Sequence, residues 1–356
     1  MCSKDDFMFT NLDEKNIYVI MLMVLIPMVF VGLFIPIIKK IAFHINALDI
    51  PNERKIHKKP MPRLGGLGIF SGFLLGYMLF GIHTYLMNSV LIASFVLLIT
   101  GIIDDIKPLR ARYKLIGQFI ASLIVVVYGG LLLQDVSFFG LYINFGWFSY
   151  VVTVFFILGC INCMNLIDGL DGLAGGIASI FFLTIGFISV VRGEFALATT
   201  LTLIMFGSTL GFLFHNFNPA KIFMGDSGSM FLGLMIAVIT LMGFKSTMMS
   251  AIVIPLFILV VPILDATFAI IRRKLKGESI STPDKLHIHH QLLKKNYSQR
   301  KTVLTIYLIT LLFSIASCIY SLYSQIIGMI IYGILMLIFI YLILNTNILF
   351  NRKNNS

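Results

Sequence analysis

The sequence predicts an all-α polytopic integral membrane protein with about eleven transmembrane helices, its N-terminus outside and its C-terminus cytoplasmic. Three observations lead there. Hydrophobic residues make up 58% of the 356-residue chain and charged residues 12%, with a mean hydropathy of +0.95, far from the balance of a soluble domain. Apolar runs approaching the length that crosses about 30 Å of hydrocarbon recur along the whole chain. The cations are concentrated in alternate connections between those runs.

In order, the runs are 17–38, 66–84, 89–103, 115–133, 148–161, 174–191, 195–213, 229–243, 249–271, 303–322 and 326–349. The first begins too deep in the chain for a signal peptide and lacks a small-residue cleavage site, so it is expected as a retained helix. With the N-terminus outside, the inward segments 39–64, 104–114, 272–301 and 352–353, together with Lys221, hold 23 of the 27 Lys and Arg residues. Lys4, Lys15, Arg192 and Lys245 are left outside. The chain thus reads as one membrane domain, 1–356, with a short extracellular segment at 1–16 and its largest cytoplasmic loop at 272–302. The formal charge of +11 mostly describes this topology, although a basic inner face also attracts anionic membrane lipids and phosphorylated substrates. No soluble domain or recognition motif points to nucleic acid. Cys160 and Cys163 have C-x-x-C spacing but no second pair to complete a metal site, and they read as packing residues.

The acids are less expected than the cations. Ten of the sixteen fall at the inner surface, most within a few residues of an apolar run. Charge so close to hydrocarbon needs a partner, a water-filled cavity or a bound cation, and Mg²⁺ favours oxygen ligands of this kind. Asp49, Glu53 and Glu278 read as solvated loop acids. The paired and glycine-flanked acids suggest one shared site.

"GIIDDIKPLRARYK" (101–114) places Asp104 and Asp105 at the end of a run, followed by four cations including Lys114. Adjacent acids on a helix point in different directions, so one can serve a nucleophile while the other supports a metal or a cation. The alternative is an acid pair neutralised by its flanking bases. "NCMNLIDGLDGLAGG" (162–176) spaces Asn162, Asn165 and Asp168 three apart, which brings neighbours onto one helical face before the glycines break it. A plain Asn/Asp/Gly turn would look similar. In "NPAKIFMGDSGSMFLG" (218–233), Asp226 sits in a Gly-rich turn that opens a run. Backbone N–H groups there suit phosphate, or the turn is an N-cap. Asp265, Arg272, Arg273 and then "HIHH" close the series, with His287, His289 and His290 more suited to holding an anionic group than zinc. "NERKIHKKPMPRLGG" (52–66) is the least specific alone, since a positive-inside patch has the same appearance.

Taken together and in order, "RKIHKKPMPRLGG", "GIIDDIKPL", "NCMNLIDGLDGLAGG", "FNPAKIFMGDSGSMFLG", "FAIIRR" and "PDKLHIHHQLL" resemble the polyprenyl-phosphate N-acetylhexosamine-1-phosphate transferase family, from about residue 49 to 293. The likeness is to the bacterial branch that starts wall teichoic acid linkage units or O-antigen and common-antigen synthesis. The resemblance implies transfer of a sugar 1-phosphate from UDP-N-acetylglucosamine to undecaprenyl phosphate, with release of UMP and dependence on Mg²⁺ or Mn²⁺. It implies that Asp226 and Asn165 are metal ligands and that Asp104 deprotonates or orients the lipid phosphate. Asp105, Asp168, Lys114 and Asn162 match positions associated with the metal, the phosphates and the nucleotide. His287, His289 and His290, with Arg272 and Arg273, match the part that holds the diphosphate sugar. Two departures bear on this. Pro108 stands where some members carry a third acid, and H-x-H-H replaces the three consecutive His of the muramyl-pentapeptide branch, which favours an N-acetylglucosamine-like sugar.

A secondary transporter or lipid flippase is the competing class. It would draw ionisable residues toward the bilayer midplane, whereas here only Asp265 is drawn somewhat inward. The sequence leaves open the receiving polymer and the assembly state, a homodimer included.

Overall fold

A computed structural model describes residues 14–51, 59–138, 141–194, 196–243, 253–275, 277 and 287–344. The helices, in chain order, are α1 (Glu14–His44), α2 (Gly65–Phe80), α3 (Tyr85–Ile106), α4 (Ala111–Leu123), α5 (Ser149–Ile167), α6 (Leu173–Val191) and α7 (Leu197–Asn216). They continue as α8 (Gly225–Gly243), α9 (Val253–Ile258), α10 (Val260–Leu275), α11 (Ile288–Lys294), α12 (Gln299–Leu322) and α13 (Gln325–Leu344). Among the described residues nine helices are long and apolar enough to cross a membrane. The chain is therefore an all-α, multi-pass membrane protein.

The two remaining runs take other forms. The run 66–84 supplies only the 16-residue α2, because Gly81 turns extended at φ −75° and ψ 152°. The run 249–271 is broken into α9 and α10 around Leu259, with Pro255 and Pro262, which lack backbone N–H donors, close on either side. The third inner connection also starts later than expected, since α5 continues through Asn162 and Asn165 to Ile167. α4 runs on through a π-helical turn, Ile124–Tyr128. Two short antiparallel pairs complete the fold: β1 (Leu48–Asp49) with β2 (Met61–Pro62), and β3 (Asp135–Phe138) with β4 (Leu141–Asn144). The expected segment 1–16 lies largely outside the described residues, as do residues 276 and 278–286 of the expected loop 272–302.

α8 is the axis of the bundle. Its apolar residues are spread around the helix, as a fully enclosed helix requires, and nearly all of it is buried against α2, α3 and α5. The outer helices α1 and α13 instead turn side chains such as Leu33 and Leu337 outward, as lipid-facing helices do. Lipid tails are as apolar as Leu, so the helices are held by close packing rather than by expulsion of water. Small residues supply the fit. Gly207 and Gly211 of α7 lie on the Val24 and Met28 carbonyls of α1, and Gly233 of α8 lies on the backbone of α5.

A Cβ on Gly233 would stand 2.5 Å from the Ile161 Cα. Gly233→Leu is therefore expected to lower the apparent melting temperature in detergent, with a cost of about 1–3 kcal/mol or more from overpacking. Gly159→Ala, at a position with no atom within 4 Å, is the control and should leave it unchanged or slightly raised.

Candidate active site

The ends of α3, α5, α7 and α10 and the beginnings of α2, α4, α6, α8 and α12 meet at one end of the bundle, and every expected polar residue of the site is at or near this end. The adjacent acids of α3 diverge there as helical geometry requires. Asp104 Oδ1 accepts from the Leu109 N–H at 2.7 Å, which shapes the turn into α4, and its Oδ2 meets Lys114 Nζ at 2.8 Å. Asp105 reaches the start of α8, where Oδ1 accepts from Asp226 N at 2.9 Å and Oδ2 from Ser227 N at 3.3 Å and Ser227 Oγ at 2.9 Å.

A carboxylate of α3 thus closes the positive end of α8. The approach is possible because Gly101 touches the Ser227 backbone, Gly66 touches the Gly228 backbone, and Gly225 adopts φ +73° against Asp105. Of the two readings of the Gly-rich turn, phosphate cradle or N-cap, the structure shows a cap, supplied by Asp105 from α3 rather than by Asp226 or Ser227. It also places Asp105 as the residue that aims the neighbouring Asp226.

Asp226 faces two cations. Lys114 Nζ lies 2.7 Å from its Oδ2, and Arg63 Nη2 lies 3.5 Å from its Oδ1. Lys114 therefore joins Asp104 to Asp226, and carboxylate oxygens of Asp104, Asp105 and Asp226 lie within 4.8 Å of one another. Arg63 also stands 3.5 Å from Asp105 and 3.6 Å from Asp49. Asp49, expected to be a solvated loop acid, is instead part of this network. Arg63 reads as one cation of a positive-inside patch and Asp49 as a solvated acid until the β1–β2 pairing brings both to the start of α8.

Beside the network opens a cavity of about 450 Å³ whose lining includes Asp49, Arg63, Asn165, Asp168, Asp171, Asp226 and His290. Asn165 and Asp168 enter it from the end of α5 as expected, and Asn165 Nδ2 donates to Ser229 Oγ of α8 at 2.9 Å. Asn162 does not line it. One turn deeper, its Nδ2 donates to Gln118 Oε1 of α4 and to the Leu158 carbonyl, joining α5 to α4. Asp171 accepts from Asn218 Nδ2 and Ala220 N, so it fixes the connection after α7. Burial, reinforced by the Asp226 charge, pushes the Asp168 carboxyl up to about 7.

The histidines divide into three roles. His287 Nδ1 bonds Asp265 Oδ2 at 2.9 Å, and Asp265 Oδ1 also accepts from Ile288 N, fastening α11 to α10. A carboxylate only accepts, so His287 Nδ1 carries a proton and donates to Asp265. His289 is buried under the turn after α5, with Nε2 only 2.6 Å from where a Cβ on Gly169 would stand. Burial and the neighbouring His290 push His289 down to about 3, so it is neutral. His290 alone of the three lines the cavity, with Gln299 of α12 nearby. Arg272 and Arg273 are buried in the last turn of α10 and do not line the cavity.

A family model described as "Glycosyl transferase family 4" matches residues 87–244, the stretch that supplies Asp104, Asp105, Lys114, Asn165, Asp168 and Asp226. A Bacillus subtilis (strain 168) protein named "Probable undecaprenyl-phosphate N-acetylglucosaminyl 1-phosphate transferase" is 43% identical over 312 residues, 86% of each chain. The chain belongs to the polyprenyl-phosphate N-acetylhexosamine-1-phosphate transferase family. A further relative in this family, the "Decaprenyl-phosphate N-acetylglucosaminephosphotransferase" of Mycobacterium tuberculosis (strain ATCC 25618 / H37Rv), is 35% identical over 76% of this chain and 75% of its own. The "Undecaprenyl-phosphate alpha-N-acetylglucosaminyl 1-phosphate transferase" of Salmonella typhi is 28% identical over 78% of this chain and 77% of its own. The matched residues 87–244 contain neither Arg63 nor the histidines, so those reach the transferase site through β2 and α11, beyond the family's matched segment.

The raised Asp168 value has a consequence for stability. An unfolded Asp titrates near about 3.9, so the folded protein holds a proton that the unfolded chain has lost. The resulting contribution is full below the unfolded value and disappears as pH rises through about 7. In chelator, the melting temperature of Asp168→Asn relative to the native protein is expected to climb between about pH 5 and about pH 8. A flat difference would show that Asp168 titrates normally.

Proposed function

We propose that this protein transfers N-acetylglucosamine 1-phosphate from UDP-N-acetylglucosamine to undecaprenyl phosphate, releases UMP, and forms the first lipid-linked intermediate of wall teichoic acid or surface polysaccharide synthesis. The names of the relatives support the substrates. The reading includes eleven crossings of the bacterial plasma membrane, with the site at the cytoplasmic surface; the cation distribution and the gathering of alternate helix ends around the acids support it.

The observation that carries the reading is that Asp104 and Asp226, from helices far apart in sequence, aim oxygens at a single cation, the Lys114 ammonium, from 2.8 and 2.7 Å beside the cavity. An all-oxygen set that already holds a cation suits Mg²⁺, or Mn²⁺ in its place. Asp226 and Asn165 would hold the ion, with Asp104 next to them. When bound, the ion supplies charge neutralisation for the phosphates of donor and acceptor.

The chain's own residues do the rest. Asp105 and Ser227 fix the direction of Asp226 by anchoring the start of α8. Lys114, held between two acids, carries positive charge to the place where negative charge must gather. Asp104 orients the acceptor phosphate, which at neutral pH is already largely deprotonated, so orientation counts for more than proton removal. His290, at the cavity wall, faces the donor, and neutral His289 holds the turn that presents Asp168. An acceptor oxygen then forms a bond to the sugar-linked phosphorus while the bond from that phosphorus to the bridging oxygen breaks, and UMP leaves with that oxygen. Positioning and charge stabilisation supply most of the acceleration, as in other phosphoryl transfers.

Two outcomes are expected in a UMP-release assay with membranes. Asp226→Asn and Asp104→Asn each lower turnover at least about tenfold with normal membrane insertion, a loss of one charged contact in the transition state. Wild-type turnover in either would remove that residue from its role. Chelation abolishes transfer and Mg²⁺ restores it, whereas transfer that persists in chelator would contradict the metal assignment.

A further inference from the structure

The reaction outlined above leaves Arg63 without a task, yet it is placed with care. Its backbone N–H donates to the Ala47 carbonyl at 3.0 Å, and its carbonyl rests on Gly225. On either side, Phe223 N donates to the Pro62 carbonyl at 2.8 Å and Gly65 N donates to the Phe223 carbonyl at 3.0 Å. The stem of the side chain is therefore fixed relative to the start of α8.

The head is held differently. Nη1, Nε and Nη2 each face a different carboxylate, Asp49, Asp105 and Asp226, at 3.6, 3.5 and 3.5 Å. Charge-assisted hydrogen bonds close to about 2.7–2.9 Å, as both contacts of Lys114 do, and an Arg committed to one acid forms a parallel pair of bonds. Arg63 does neither. Its guanidinium is shared among three acids rather than committed to one. It is also the sole Lys or Arg among the described residues lining the cavity, whose other ionisable walls include Asp49, Asp168, Asp171 and Asp226. A diphosphate could not enter so acidic a space without a cation facing it. A planar fork of N–H donors matches phosphate oxygens better than an ammonium does.

We propose that Arg63 is a positioning residue that exchanges partners: in the ligand-free protein it neutralises Asp226 and Asp49, and once a divalent cation neutralises Asp226 it turns to the diphosphate of the nucleotide-sugar donor. The donor half rests on the transfer reaction proposed above, and the cation half stands apart from it.

The test uses the full-length protein in detergent or nanodiscs, with Arg63→Gln and Arg63→Lys. Mn²⁺ is titrated without substrates and followed by electron paramagnetic resonance, and KM for UDP-N-acetylglucosamine is measured separately. Removing a fixed positive charge from beside Asp226 is expected to tighten Mn²⁺ binding about three- to tenfold in Arg63→Gln. KM is expected to rise about tenfold or more, the scale of a lost charged hydrogen bond, with a much smaller change in kcat. Arg63→Lys should return Mn²⁺ affinity to the native value but leave KM between the two. Unchanged or weaker Mn²⁺ binding by Arg63→Gln at a native melting temperature would overturn the exchange, and an unchanged KM would overturn the donor contact. Should Arg63→Gln fold poorly, Arg63→Lys decides: a native KM there contradicts the need for a planar fork. If native protein releases no UMP from UDP-N-acetylglucosamine, the proposed reaction fails, while the Mn²⁺ titration still decides the cation half.

Discussion

The structure depends on packing three carboxyl groups, those of Asp104, Asp105 and Asp226, against one another at the edge of a hydrocarbon bundle. Their oxygens approach within 4.8 Å, and carboxylates so close repel strongly where water is scarce. Two kinds of compensation make this tolerable. Asp105 is stabilised by the N–H groups that begin α8 and by a hydroxyl, so the dipole of the central helix offsets its charge. Asp104 and Asp226 share Lys114, and Arg63 spreads its charge over the remainder. The three acids are therefore not equivalent: one builds the site, and two present a pair of oxygens to whatever cation stands between them.

That arrangement demands close backbone approach. Gly66, Gly101 and Gly225 each lie where a Cβ would strike the start of α8, its Ser227 or Gly228 backbone, or Asp105. The same small-residue packing that holds membrane helices together here lets α2 and α3 reach the start of α8. The second half of the site is assembled by side chains instead. Asn216 accepts from Gly172 N, Tyr307 donates to the Gly172 carbonyl, and His289 packs on Gly169, so α7, α12 and α11 all grip the turn between α5 and α6. Asp168 lies at the centre of that grip, and its raised pKa reflects the confinement.

Most of the helices were legible in the sequence because hydrocarbon imposes a length and a composition that nothing else in a protein requires. The breaks were less so: α5 absorbs Asn162 and Asn165 since their amides bond the Leu158 carbonyl and neighbouring helices, which hydropathy does not register. In the site, Asp104, Lys114, Asn165 and Asp226 stood out as polar residues at the ends of apolar runs. The distinct duty of Asp105 did not, since it depends on a helix 120 residues later in the chain approaching from the right side. Arg63 and Asp49 were masked by surroundings: in a basic inner loop, one more cation and an isolated acid look like topology signals until β1 and β2 pair. His287, His289 and His290 were legible as a cluster, but alternation of direction along α11 gives them three different surroundings.

The account is most directly tested by locating a bound metal. Anomalous diffraction from crystals soaked in Mn²⁺ should show one peak at about 2.0–2.3 Å from an Asp226 oxygen, with Asn165 beside it and the Lys114 ammonium moved away from the ion. A peak remote from Asp226, or saturating Mn²⁺ that leaves the Lys114–Asp226 contact in place, would contradict it.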